Sequence, residues 1–240
     1  MTTLSETSPS PQAATSEALY TDGRYLDASG GNWHLEDSPF KAKYVDLMVQ
    51  RHGLRPGSVC EIGCGAGGVL ASLRERWGAE PRFVGYDISP QAHALSQQFR
   101  QSNLRFELED AFKSDETFDL VLVMDVVEHV ENCFEFLRQT RRKGHYKLYH
   151  IPLEIACSTA LRDMLDRGYA LGHIHHFSRS TALAALRHTD HEIIDTMFTP
   201  VAFECAKLLR TRLTNSLRRL LPQTLCSRIL GGYSLLVLAK

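Results

Sequence analysis

The sequence predicts an α/β fold, a mostly parallel sheet with helices packed on both faces. Three observations point there. Short apolar runs alternate with segments of helical spacing along most of the chain. The run Leu120–Met124 is apolar without polar alternation, as in a strand buried on both faces. A glycine-rich turn follows the first apolar run and opens a helical segment.

Size and composition suit that fold. A chain of 240 residues can build one large domain with a full core. Hydrophobic content of 43% and charged content of 23% are those of an ordinary globular protein. The net charge of -1 gives no global signal for nucleic acid or membrane. No apolar run approaches the roughly 20 residues that span a bilayer. Residues 1–19 are rich in Ser, Thr, Pro and Ala and read as a disordered tail. They lack the basic start and apolar centre of a signal peptide, so a cytoplasmic location is expected. Residues 20–240 read as a single domain. The cysteines Cys60, Cys64, Cys133, Cys157, Cys205 and Cys226 form no Cys-x-x-Cys pair and read as reduced thiols.

The elements follow in order. Residues 20–53 read as an N-terminal segment ending in a helix, the place of a lid in the family that the motifs below resemble. Within them Ser38-Pro39 reads as a helix start, with Ser38 the N-cap, and Gly53 closes the helix. Strands are expected at Val59–Ile62, Phe83–Tyr86, Leu104–Leu108, Leu120–Met124, Lys147–Ile151, Glu192–Met197 and Ser234–Leu238. Helices are expected from Gly68 to Trp77, from a Ser89 cap to about Gln101, from Asn132 to Arg142, and from a Ser178 cap to His188. Residues 198–232 form a helical insertion before the last strand.

The turn carries the chemistry. Gly63, Gly65 and Gly68 fit the glycine pattern of nucleotide-binding turns, in the required strand–turn–helix setting. Backbone N–H groups there can meet a ligand at a helix N-terminus. Glu61, two residues earlier, would repel a pyrophosphate. It suits a ligand bearing an ammonium group, such as the methionine part of S-adenosylmethionine. Asp87 ends the next strand and can accept ribose hydroxyls, which fits NAD and S-adenosylmethionine alike.

Four ordered motifs carry a resemblance. Val59-Cys-Glu-Ile-Gly-Cys-Gly-Ala-Gly67 resembles the first motif of the class I S-adenosylmethionine-dependent methyltransferases. Gly85-Tyr-Asp-Ile-Ser89 resembles their second. Glu109-Asp-Ala-Phe112 resembles the segment where an acidic side chain and the next backbone N–H hold the adenine. Phe118-Asp-Leu-Val-Leu-Val-Met-Asp-Val-Val-Glu-His-Val130 resembles the fourth-strand motif. The resemblance implies a Rossmann-like, seven-stranded, mostly parallel sheet with the last strand antiparallel. It implies S-adenosylmethionine as cofactor, held by Glu61, Gly63, Gly65, Gly67, Asp87, Ile88, Asp110, Ala111 and Met124.

On the acceptor side, Asp125-Val-Val-Glu128-His129 is similar to the ubiquinone-biosynthesis O-methyltransferases and to small-RNA 2′-O-methyltransferases. That similarity implies a divalent metal on Asp125, Glu128 and His129, with His176 or His175 as a later ligand. The alternative is a metal-free site where His129 acts as base or packs. His129, His175 and His176 are the expected catalytic residues. Tyr25, Trp33, His34 and Asp125 are expected to line the acceptor pocket, since aromatic walls exclude water.

The expected activity is methyl transfer to a small-molecule acceptor, an oxygen of a sugar, glycan precursor or specialised metabolite. An RNA 2′-O-methyltransferase is opposed by the net charge of -1. A non-catalytic S-adenosylmethionine-binding regulatory subunit is opposed by the intact motifs, and an NAD enzyme by Glu61. From Cys205 to Lys240 the chain carries Lys207, Arg210, Arg212, Arg218, Arg219, Arg228 and no acid. The basic 205–230 stretch would either touch a membrane or pack on its own domain with its arginines solvated.

Overall fold

The structure, a computed structural model, describes residues 20, 32–33, 35–161, 172–200 and 221–240. The expected tail, Tyr25, His34 and most of the 198–232 insertion lie outside these residues.

Seven strands form one sheet in the order β3-β2-β1-β4-β5-β7-β6. They are β1 (Ser58–Ile62), β2 (Arg82–Asp87), β3 (Leu104–Leu108), β4 (Phe118–Met124), β5 (Gly144–Leu153), β6 (Ile193–Thr199) and β7 (Tyr233–Ala239). Strands β3, β2, β1, β4 and β5 pair in parallel. Strand β7 runs antiparallel between β5 and β6. This is the expected sheet, its last strand reversed.

The helices are α1 (Ser38–Arg51), α2 (Gly68–Trp77), α3 (Pro90–Ser96), α4 (Cys133–Arg142), α5 (Cys157–Leu161), α6 (Arg179–His188) and α7 (Gln223–Ile229). Among the described residues, no helix is long and apolar enough to cross a membrane.

Alternation along each strand sends side chains to two cores. Val59, Phe83, Leu104, Leu120, Leu122 and Leu148 pack with Val45 and Met48 of α1 and Leu70 and Leu73 of α2. Cys60, Ile62, Val121, Val123, Tyr149 and Val237 pack with Phe136 and Leu137 of α4 and Leu183 and Leu186 of α6. The period of two therefore puts Glu61 on the α1/α2 face, with Val59. His150 falls on that face too, with Leu148.

Several element ends differ from expectation by a residue or more, and three of them have a visible local reason. Ser38 is not the cap of α1. A 3-10 turn over Leu35–Asp37 runs into the helix, Asp37 keeps helical φ of -85° and ψ of -12°, and Ser38 becomes the first helical residue. Ser38 is buried against Gly68, the first residue of α2. Ser89 does cap α3, accepting from Ala92 N–H at 3.3 Å, but the helix ends at Ser96. The Ser96 hydroxyl donates to its own helix at His93 O (2.8 Å), and the chain tightens into a 3-10 turn at Gln97–Phe99. Strand β5 reaches from Gly144 to Leu153 because both edges are paired, to β4 from Gly144 and to β7 as far as Leu153.

The order of strands reverses between β1 and β4. Their carboxyl ends part there, which is where open α/β sheets bind ligands.

Gly67 sits at φ +81°, and a Cβ on it would lie 2.5 Å from Phe106 Cε1. Gly67→Ala thus combines backbone strain with overpacking. It is expected to cost roughly 2–5 kcal/mol, read as a lowered urea midpoint. A loss below about 1 kcal/mol would contradict this account of the turn.

Candidate cofactor and acceptor site

The glycine turn leaves β1 in a left-handed path, with φ of +70° at Gly63, +54° at Gly65 and +81° at Gly67. It is pinned to β2: the N–H groups of Gly63 and Cys64 both donate to Tyr86 O, at 2.9 and 3.0 Å. Side chains close on it from two sides. A Cβ on Gly65 would meet Trp33 Cδ1 at 2.7 Å, and one on Gly63 would meet Val126 Cγ2 at 2.7 Å. Trp33, expected in the acceptor pocket, therefore lies over the cofactor turn.

Asp87 ties the turn to α3. Its Oδ2 accepts from Gly65 N–H at 2.7 Å and its Oδ1 from Ser89 N–H at 2.8 Å. Burial raises its pKa, and these N–H groups oppose the rise. Each oxygen keeps a lone pair for a ligand hydroxyl. Beyond it Ile88 is apolar and 38% exposed. Asp110 caps a 3-10 turn over Ala111–Lys113, accepting from Phe112 N–H at 3.0 Å, and Ala111 is buried beneath it. Met124 is buried at the end of β4.

Glu61 is buried among apolar side chains of α1 and α2. Burial pushes its carboxyl up to about 8, against the pull of Lys41 and a bond from the Leu70 backbone. Its Oε2 meets no hydrogen-bond partner among the described residues. A buried carboxylate with an open oxygen, beside a turn that admits no Cβ, suits an ammonium group.

Asp125 is spoken for. It lies one residue past β4 at φ +58°, a left-handed conformation rare outside glycine. Its Oδ2 pairs with Lys41 of α1 at 2.8 Å, and its Oδ1 accepts from His150 Nδ1 at 2.6 Å. His150 Nε2 continues to Thr199 Oγ1 at 2.8 Å. Burial alone would raise the Asp125 pKa, but His150 and Lys41 hold it well below the usual carboxylate range. Lys41 is pushed above its usual value: burial opposes its charge, and Asp125 outweighs burial.

The acceptor side gathers differently from the sequence expectation. Glu128, His129 and His173 bring ligand atoms within 4.8 Å of one another. Asp125 and His176 do not join them. Asp125 is drawn off by Lys41 and His150, and His176 Nδ1 donates to Glu154 Oε2 at 2.5 Å. His175 turns away, its Nε2 donating to Val130 O at 2.9 Å. Tyr25 and His34 are outside the described residues.

His129 Nδ1 faces the Gly172 carbonyl at 3.0 Å and the Tyr20 hydroxyl at 2.6 Å. The Gly172 carbonyl only accepts, so that contact needs Nδ1–H, while the Tyr20 hydroxyl can donate or accept. The other ring nitrogen, Nε2, lies 3.9 Å from Glu128 Oε1. Burial, with His173 adding to it, lowers the His129 pKa to about 4. Glu128 is fully buried, and neither carboxylate oxygen meets a hydrogen-bond partner among the described residues. Burial first, and Asp125 second, push its pKa well above the ordinary range.

Lys41, His150, Thr199 and Glu154 escaped the sequence reading, and His173 was passed over for its neighbours. Lys41 did leave a signal. It shares the inward helical phase of Val45 and Met48, an unusual place for a lysine without a partner.

The chain matches the model of the methyltransferase domain family over residues 33–196 and belongs to that family. It is similar to norajmaline N-methyltransferase of Rauvolfia serpentina, 30% identical over 37% of this chain and 32% of that protein. It is similar to a ubiquinone biosynthesis O-methyltransferase of Azorhizobium caulinodans, 34% identical over 42% of this chain and 45% of that protein. The chain thus spans less than half the length of both. Its fold is shared with magnesium protoporphyrin IX methyltransferase of Synechocystis PCC 6803, solved with bound SAH: TM-score 0.61, 17% identity, 93% of this chain and 96% of that one covered.

Glu61 generates a prediction with a definite sign. Its carboxyl titrates near 8 when folded and near 4.5 when unfolded. Between those values the folded state keeps a proton that the unfolded chain has released, so stability falls as pH rises. Glu61→Gln removes this dependence. In the ligand-free protein, the Tm gap in favour of the variant should widen from pH 4.5 to about 8 and level off above. Thermal melts of both proteins across that range check this, and a gap independent of pH would contradict it.

Proposed function

We propose that this chain is an S-adenosylmethionine-dependent methyltransferase that methylates an oxygen of a small molecule, such as a sugar, a glycan precursor or a specialised metabolite. The observation that carries the cofactor is the buried, half-partnered carboxylate of Glu61 beside the glycine turn. Family membership supports the reaction class. Glu61 would take the ammonium of the methionine part, Asp87 the ribose, and Asp110 with the Ala111 N–H the adenine, with Ile88 and Met124 as apolar neighbours. When bound, the cofactor supplies a methyl group on a positive sulfur, open to in-line attack by a nucleophile. Positioning then provides much of the rate, and Trp33 over the turn helps exclude water.

The donor set of Glu128, His129 and His173 fits a divalent cation. Glu128 is a buried acid whose oxygens meet no hydrogen-bond partner among the described residues, and the Nδ1 atoms of both imidazoles are already engaged. With Nδ1 held by Glu154, the nitrogen His173 would turn to a cation is Nε2. A bound cation would polarise an acceptor hydroxyl and ease loss of its proton. The similarity to an O-methyltransferase supports oxygen as the nucleophile; the N-methyltransferase relative makes nitrogen the competing acceptor.

Two measurements test the reading. SAH should raise the Tm of the protein and NAD should not; the reverse would sink the cofactor assignment. Labelled methyl from S-adenosylmethionine should pass to members of a panel of sugars and phenols. EDTA treatment should lower that transfer at least tenfold, with recovery on adding back Mg or Mn. Full activity after EDTA, with no metal retained, would remove the cation and leave His129 as a general base.

A further inference from the structure

We propose that Glu154 is a positioning residue for the cation site, the group that fixes which nitrogen His173 presents to Glu128 and His129. This rests on the cation reading given above.

Glu154 follows the last residue of β5, and the segment carrying the histidines is tied back to that point. Leu153 bridges Phe177 in parallel, and Ile155 N–H donates to Phe177 O at 3.0 Å. The other side of the segment is clasped to Glu128, whose backbone carbonyl accepts from Ile174 and His175 N–H at 2.9 and 3.0 Å. The backbone of residues 172–177 is thereby held between the end of β5 and the turn that carries Glu128 and His129.

Backbone clamping does not settle which way an imidazole faces. Glu154 does. Its Oε1 meets His173 Nδ1 at 2.8 Å and its Oε2 meets His176 Nδ1 at 2.5 Å. An ionised carboxylate only accepts, so both rings donate Nδ1–H and keep their lone pairs on Nε2. His173 belongs to the group with Glu128 and His129, and Nε2 is the atom it would present there. His129 reaches the same tautomer through the Gly172 carbonyl, one residue before His173. Carboxylate and carbonyl partners of this kind orient metal-binding imidazoles from outside.

A glutamine at 154 offers one accepting oxygen and one donating nitrogen. It can satisfy the Nδ1–H tautomer of one ring and not of both. An alanine satisfies neither. Glu154→Ala and Glu154→Gln should each bind SAH with a wild-type thermal shift, because the cofactor turn is untouched. Titration of the full chain with Co2+, read by calorimetry and visible absorption, should show affinity lowered about ten- to hundred-fold in Glu154→Ala. In the metal-free proteins, imidazole 15N shifts should report Nδ1–H for His173 and His176 in wild type. At least one of those rings should leave that tautomer in Glu154→Gln. Wild-type Co2+ affinity in both variants, or unchanged tautomers, would overturn the role of Glu154. If the wild type binds SAH but no Co2+, the cation reading itself fails, and the role of Glu154 with it.

Discussion

Two carboxylates lie where β1 and β4 part, Glu61 buried and Asp125 half-buried, and the ammonium of Lys41 is set against both. Neither could stay ionised there alone, because a charge drawn out of water must find an opposite charge or give up its own. Lys41 meets that need from α1. The N-terminal helix is therefore bound to the ligand edge of the sheet by charge as well as by Val45 and Met48. The chain of contacts continues through His150 to Thr199, so α1, β4, β5 and β6 are joined across that edge.

The three acids Glu61, Asp125 and Glu128 differ in how far their charge is met. Asp125 is matched twice and stays ionised. Glu61 is matched in part, its carboxyl rising to about 8. Glu128 has no side-chain hydrogen-bond partner among the described residues, and burial, with Asp125 adding to it, raises its carboxyl well above the ordinary range against the pull of Lys41. On the proposed reading, a cation would meet Glu128 and the ammonium of the cofactor would meet Glu61, while Asp125 is already matched by Lys41 and His150.

Much of this was legible in the sequence. Alternation of apolar runs and helical spacing placed all seven strands, since a strand buried on both faces must be apolar throughout. The glycines around Glu61 announced a turn without side chains, and Asp110 announced a cap. The Ser38 cap and the long α3 were misread because local signals were outweighed, one by burial of Ser38 on Gly68, the other by Ser96 bonding its own helix. The sequence offers His176 or His175 as the later ligand, and nothing in it separates them from His173; in the structure Glu154 engages both His173 and His176, and His173 is the one grouped with Glu128 and His129.

The sequence by itself determined the order of strands and helices, the turn beneath the cofactor and the acidic residues around it. These follow from periodicity and from backbone conformations that few residues tolerate. Tertiary structure decided the pairing of charges: Lys41 with Asp125, Glu154 with His173 and His176, and Glu128 left facing His129. A side chain's charge is local, but its partner comes from whatever distant segment the sheet brings to the same edge. In a buried site the partner fixes protonation, tautomer and role.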